Sequence, residues 1–370
     1  MSTPPPVLLE LLRAEGPSGY ENAPTAAFAR AASEFAEVSV DVMGTPVARV
    51  PGRATRVARP AEGRPAGPLA SPSHRRLVVM GHIDEIGLIV THIDDEGYLW
   101  FRAVGGWDPQ ILVGQRVALN TREGRIPGVI GRKPIHLLRD EDRKKVPELR
   151  ELHIDIGAAD GEQARAQVRI GDVAVIDAAP LELLCGRLVS RAMDNRLGSF
   201  VALEAARLVA EAGGAAWEVC AVAAVQEETT FAGSRTSAFA LEPTAAVVVD
   251  VTHATDAPGI DVKESGKHEL GSGPVLARGS TLHPALFELL HAAGEREQIP
   301  FTVEAIGRNT GTDADAVHIA RAGVPTALVS IPLRYMHSPV ELVQLDDVHA
   351  AARLIAAFAL ALEPEQSLSR

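Results

Sequence analysis

The chain has 370 residues, 46 % of them hydrophobic, so one large domain or two smaller ones can be built and wholesale disorder is excluded. Its 36 Lys and Arg against 48 Asp and Glu leave a net charge of −12, which argues against nucleic acid as the main partner, because phosphate binding needs a basic face. No apolar run reaches the roughly 18–20 residues of a membrane helix, and MSTPPPVLLELLRAEG has no basic segment before its apolar stretch. With only Cys185 and Cys220 there is no disulfide framework, so a soluble cytoplasmic protein is expected, with both cysteines as small buried hydrophobes.

In chain order, 5–15 and 21–37 read as helices. The Pro-, Gly-, Ala- and Arg-rich stretch 51–76 has no period and reads as an exposed loop. LVVMGH (77–82) is a short buried strand. Across 86–180 short β-like runs alternate with Gly, Pro and charged turns, which predicts a compact all-β module holding one charged segment, 137–151. From about 186 the rhythm turns to strand and helix. Helices are expected over 197–213, 234–242, 283–298, 312–323 and 345–363. Strands are expected at 217–225, 245–251, 275–279, 300–307 and 325–332. Such alternation predicts a mostly parallel sheet covered by helices on both faces. The fold class is therefore α/β, with a small β-barrel-like domain inserted: 1–84 and 186–370 form the α/β domain and 85–185 the insert.

In open α/β sheets, sites form beyond the carboxyl ends of the strands. There the chain places His82, Asp84, Glu227, Glu228, Asp250 and His337, and Asp194 stands just before a helix. Singly, each has an ordinary explanation: a hydrogen-bonded histidine, a helix cap, a turn aspartate. Jointly, nitrogen and oxygen donors of this kind suit Zn²⁺-like ions. Two divalent ions carry four positive charges; Asp194, Glu228 and Asp250 bring three negative ones, and one bridging hydroxide balances the rest. Paired ions of this kind activate water in aminopeptidase sites.

The sequence here resembles the glutamyl-aminopeptidase-like and tetrahedral (TET) aminopeptidases, a branch of the dinuclear metallopeptidases with a zinc-exopeptidase-like catalytic domain. GHIDEIG (81–87), MDNRLG (193–198), QEE (226–228), Asp250, GTDAD (311–315) and HSPVE (337–341) carry the resemblance. It implies that Asp194 bridges two metal ions, that His82 and Asp250 complete one ion's ligands, and that Glu228 and His337 complete the other's. It implies that Glu227 is the general base and that Asp84 orients His82. Thr312 and Asp313 would lie at the substrate pocket. It further implies two divalent ions per subunit (Zn²⁺ or Co²⁺, or Mn²⁺), peptide substrates, a cis peptide at Asp194–Asn195, and self-association from dimer to dodecamer through the β module.

The turn after the double glutamate, TTFAGS (229–234), departs from the family's glycine-rich pattern, and GTPVARV (44–50) lacks its Asn. The leading expectation is a metal-dependent aminopeptidase. A deacylase of acylated amino acids would use the same ions and base. A glycosidase with two carboxylates would leave the histidines idle, and a non-catalytic binding module would leave Glu227 without a role.

Overall fold

The computed structural model describes residues 3–53 and 75–369, so most of the expected 51–76 loop lies outside the described residues. Its strands are β1 (Glu37–Val40), β2 (Pro46–Val50), β3 (Arg76–His82), β4 (Gly87–Ile93), β5 (Leu99–Val104), β6 (Arg116–Thr121), β7 (Gly124–Gly131), β8 (His153–Asp155), β9 (Val173–Ile176), β10 (Leu181–Leu183), β11 (Arg187–Ser190), β12 (Glu218–Ala224), β13 (Ala245–His253), β14 (Val275–Gly279), β15 (Thr302–Ile306), β16 (Thr326–Arg334) and β17 (Glu341–Gln344).

One sheet runs β1-β2-β12-β3-β13-β16-β17-β11-β10, with β14 and β15 attached beside β16. The centre is parallel, β12 to β3 to β13 to β16, as the strand–helix alternation predicts. Antiparallel pairs on both sides make the whole sheet mixed. In β3 the alternation of side chains sends Leu77 and Val79 into one core and Val78 and Met80 into another. Both faces are therefore covered. The first carries helices Pro6–Arg13, Asn22–Ala32, Met193–Glu211 and Leu345–Ala361, and the second carries Ala232–Leu241.

The inserted strands β4-β5-β8-β7-β6-β9 close into a barrel with its own core around Leu88, Phe101 and Leu119. The charged 137–151 stretch holds only single 3₁₀ turns. The helix expected over 312–323 is cut to Ala314–Val317, and the chain has already turned by Gly323. The sequence reading places no strand at β1, β10, β11 or β17, each of three or four residues. Cys220 is buried as expected, whereas Cys185 is exposed at a left-handed turn (φ 64°), which corrects the reading of both as core residues. Among the described residues no helix is long and apolar enough to cross a membrane.

Candidate metal centre and active site

Strand register sets the first donors. Ala224 of β12 pairs with His82 of β3, and Met80 of β3 pairs with Val248 of β13. Carried two residues on, that register puts Asp250 level with His82. The helix bearing Asp194 lies directly on these strands. A Cβ on Gly81 would sit 2.3 Å from the Gly198 carbonyl carbon, and one on Gly198 would sit 2.5 Å from Val249 O, so only glycine permits this approach. The Asp194–Asn195 peptide is cis. Asn195 Nδ2 donates to Val249 O at 2.8 Å, and Ser199 Oγ donates to His82 O at 2.8 Å, which ties helix to strand ends.

Adjacent residues of an extended strand face opposite ways, so Glu227 and Glu228 cannot share a site from β12 itself. The chain solves this by stopping. Gln226 takes a left-handed conformation (φ 59°), and Glu227–Thr230 form one helical turn. The N–H groups of Glu227 and Glu228 donate to Oδ1 and Oδ2 of Asp84, both at 3.1 Å, and Gln226 N–H donates to Glu21 Oε1 at 3.0 Å. Asp84 Oδ1 also lies 3.3 Å from His82 Nδ1. Asp84 thus serves the histidine and the double glutamate together.

His337 comes from the loop after β16, again left-handed (φ 58°). Its Nδ1 donates to the Gly106 carbonyl at 2.8 Å. Because a carbonyl can only accept, Nε2 is the nitrogen that carries the lone pair whenever the ring is neutral. Gly106 follows β5, so the barrel orients this ring. Glu341 accepts from His337 N–H at 2.9 Å, Met193 N–H at 2.8 Å and Asp194 N–H at 3.2 Å. Neither Gly106, Glu21 nor Glu341 emerged from sequence reasoning, although Glu341 stands inside the quoted HSPVE block. Below the site Glu85 is buried between Arg191 and Arg196, taking a 2.7 Å bond from Arg196 Nη2. Arg196 also donates to Ile83 O and Leu11 O, at 3.1 and 2.8 Å.

All five proposed ligands meet. Asp194 Oδ1 is 3.1 Å from His82 Nε2, while its Oδ2 is 3.3 Å from His337 Nε2. His337 Nε2 is 3.4 Å from Glu228 Oε1, and His82 Nε2 is 3.6 Å from Glu227 Oε2. Donors around a tetrahedral ion with bonds of about 2.1 Å stand roughly 3.4 Å apart, so these spacings suit cations. Two triads can each close on an ion: His82, Glu227 and Asp250, and His82, Asp194 and Glu228. The first holds Glu227, the intended base, where the implied set has Asp194, and the second holds His82 where it has His337, so neither triad reproduces the implied ligand split.

Electrostatics agree with a need for cations. Burial, then the neighbouring acids, push the Glu227 carboxyl up to about 10. Burial first also raises Glu228, Asp250 and Glu341. Burial opposes ionisation of Asp194 too, but the hydrogen bonds of His337 and His82 hold it low. Those of Asp194 and Glu228 lift His337 to about 11. Protein groups alone thus leave several of these acids disfavoured as anions.

The donors line a cleft of about 370 Å³ whose other walls include Thr252, Glu304, Thr310, Thr312 and Met336. Thr312 faces it, and Asp313, 1 % exposed, lies outside its lining. A larger groove of about 680 Å³ on the outer helices shares no residue with it.

Paired histidines and crowded carboxylates at the carboxyl ends of a helix-covered sheet define the class of metal-dependent hydrolases. Residues 68–354 match the family described as M42 glutamyl aminopeptidase, and the chain belongs to that family. It is 34 % identical over 332 residues to a lysyl aminopeptidase of Pyrococcus furiosus, covering 89 % of this chain and 88 % of the relative. Among solved structures it resembles a TET aminopeptidase from a marine-sediment thaumarchaeote, with TM-score 0.86, 34 % identity and 96 % of each chain covered. It also resembles the Pyrococcus horikoshii TET1 peptidase, described as assembling into a tetrahedron or a large octahedral shell, with TM-score 0.79, 30 % identity, and 96 % of this chain and 99 % of that one covered. The chain is an aminopeptidase, a peptide-bond hydrolase of a family that depends on divalent metal.

Proposed function

We propose that the chain removes N-terminal residues from peptides with two divalent ions, Zn²⁺ or Co²⁺, and that Mn²⁺ can substitute. The observation that carries this is Asp194, whose two oxygens face two histidines at 3.1 and 3.3 Å. Asp194 would hold both ions, His82 and Asp250 one, Glu228 and His337 the other. When bound, such a pair lowers the pKa of a shared water and polarises the scissile carbonyl. Glu227 takes the proton of the attacking water at its carboxylate and returns it to the leaving amine. Asp84 fixes the imidazole of His82 and the turn that carries Glu227. Thr312 lines the substrate side of the cleft, and Asp313 stands buried beside it.

Residues 1–84 and 186–370 are the catalytic domain, and 85–185 control access and self-association between dimer and dodecamer. Supporting this, Ile135, Leu137 and Val146 stand 58 %, 64 % and 58 % exposed on the insert, an apolar surface that suits a second subunit. Two unpaired cysteines favour a cytoplasmic setting. Glu227→Gln tests the roles: kcat on an aminoacyl anilide should fall roughly 10²- to 10⁴-fold while metal analysis still finds both ions. A variant that loses an ion instead would reverse the parts given to Glu227 and Glu228.

A further inference from the structure

We propose that Glu304 selects the first residue of the substrate and that the enzyme prefers a cationic one, lysine or arginine. The inference rests on the aminopeptidase reading above. Glu304 stands on β15 and lines the same cleft as the metal-ligand candidates, half-buried. Thr252 Oγ1 donates to its Oε2 at 3.3 Å, a neutral contact that leaves the charge unbalanced.

Cations on neighbouring segments are engaged elsewhere: Lys267 with Glu269, Arg278 with Glu288, and Arg334 with Asp256. Among the described residues no lysine or arginine forms an ion pair with Glu304. His268 lies close enough to feel its charge, but burial outweighs Glu304 and holds the imidazole below its ordinary value. The other acids of the cleft have parts in the proposed centre already: Asp194, Glu228 and Asp250 as ligands and Glu227 as the base. Glu304 is the carboxylate left over.

The rest of the cleft suits a long polar side chain. Thr252, Thr310 and Thr312 supply hydroxyls, and about 370 Å³ is in the range that holds a small ligand. A half-buried carboxylate there favours a side chain that pairs with it and penalises one that leaves it unpaired. The competing cation is Arg308, exposed four residues on and outside the lining, which would instead draw acidic residues.

The test compares lysyl, arginyl, leucyl and glutamyl p-nitroanilides with wild type, Glu304→Gln and Glu304→Lys, after Zn²⁺, Co²⁺ or Mn²⁺ is restored. Wild type should favour lysyl and arginyl substrates. Glu304→Gln should lower the lysyl-to-leucyl ratio of kcat/KM about 10- to 100-fold, the size of losing one hydrogen bond to a charged group. Glu304→Lys should raise the glutamyl-to-lysyl ratio. Using ratios within one preparation removes any loss of folded enzyme from the comparison. An unchanged lysyl-to-leucyl ratio in Glu304→Gln, or a wild type that favours glutamyl substrate, overturns the proposal while leaving the aminopeptidase reading intact. A wild type that cleaves none of the four overturns both.

Discussion

The two halves of the proposed metal centre are built differently. The His82–Asp250 half stands on parallel strands in the middle of the sheet, with His82 1 % and Asp250 5 % exposed. The Glu228–His337 half stands on two left-handed turns, and the His337 side chain is 35 % exposed. The first half takes its position from strand register and helix packing, which the hydrophobic core fixes. The second takes it from directed hydrogen bonds: Asp84 to the Glu227–Glu228 turn, Glu341 to the His337 backbone, and Gly106 of the barrel to the His337 ring. Dense packing tolerates little displacement, whereas a turn held by single bonds moves when one is lost. The stable half can therefore persist when the other fails, and the barrel reaches the chemistry through the weaker half.

Asp194 would join the halves, so its loss should have the largest effect. Asp194→Ala should abolish turnover and empty both metal positions, seen as aminoacyl-anilide activity at background and no bound ion. Retention of one tight ion in that variant would show that the halves do not depend on a shared carboxylate.

Next comes the root of the rigid half. Glu85→Gln leaves Arg191 and Arg196 buried without their partner, a change that costs about 3–5 kcal/mol. Burial opposes the Glu85 charge, but Arg191 and Arg196 outweigh it and depress its pKa below the ordinary 4.5. A depressed acid stabilises the fold above the unfolded pKa and loses that contribution as pH falls through the folded one. Urea unfolding should therefore show the full gap between wild type and variant near neutral pH, and the gap should narrow below about pH 4.5. A gap that widens in acid would contradict the ion cluster.

A smaller effect is expected of Glu341→Gln, which weakens the bonds holding Asp194 and His337. Metal affinity should drop roughly 10- to 100-fold, as outer partners of ligands generally cost, with titration of the apoenzyme as the readout. The smallest belongs to Gly106→Ala. A Cβ there would lie 3.3 Å from His337 Nδ1, a contact relieved by a slight shift of the ring. Affinity for one ion should fall a few-fold, about 1 kcal/mol or less, with the other unaffected.

The same division governs how much the sequence reveals. His82, Asp250 and the double glutamate follow apolar runs, so the register of β3, β12 and β13 brings together what the strand ends predict. His337 is legible in the same way, after the run that becomes β16, and Asp194 as an acid standing just before a helix. The turn at Gln226 was legible only as a requirement: two adjacent acids facing one site force the strand to stop. What stops it is not local. Glu21 acts across 205 residues of chain, Glu341 on Asp194 across 147, and Gly106 on His337 across 231. No periodicity signals a backbone N–H that needs a distant carboxylate, or a carbonyl that needs an imidazole. The helix expected over 312–323 failed for a related reason. Asp315 folds back to take bonds from Thr310 N–H and Gly311 N–H at 2.8 Å each, so this polar stretch forms a tight turn with only Ala314–Val317 helical.

The separability of the two halves is tested most directly by the metal content of His337→Ala, measured by elemental mass spectrometry on folded protein at equal thermal stability. One ion per subunit should remain, held by His82, Asp194 and Asp250. Two ions would mean that His337 is not a ligand, and none would mean that the sheet-borne half cannot hold metal alone.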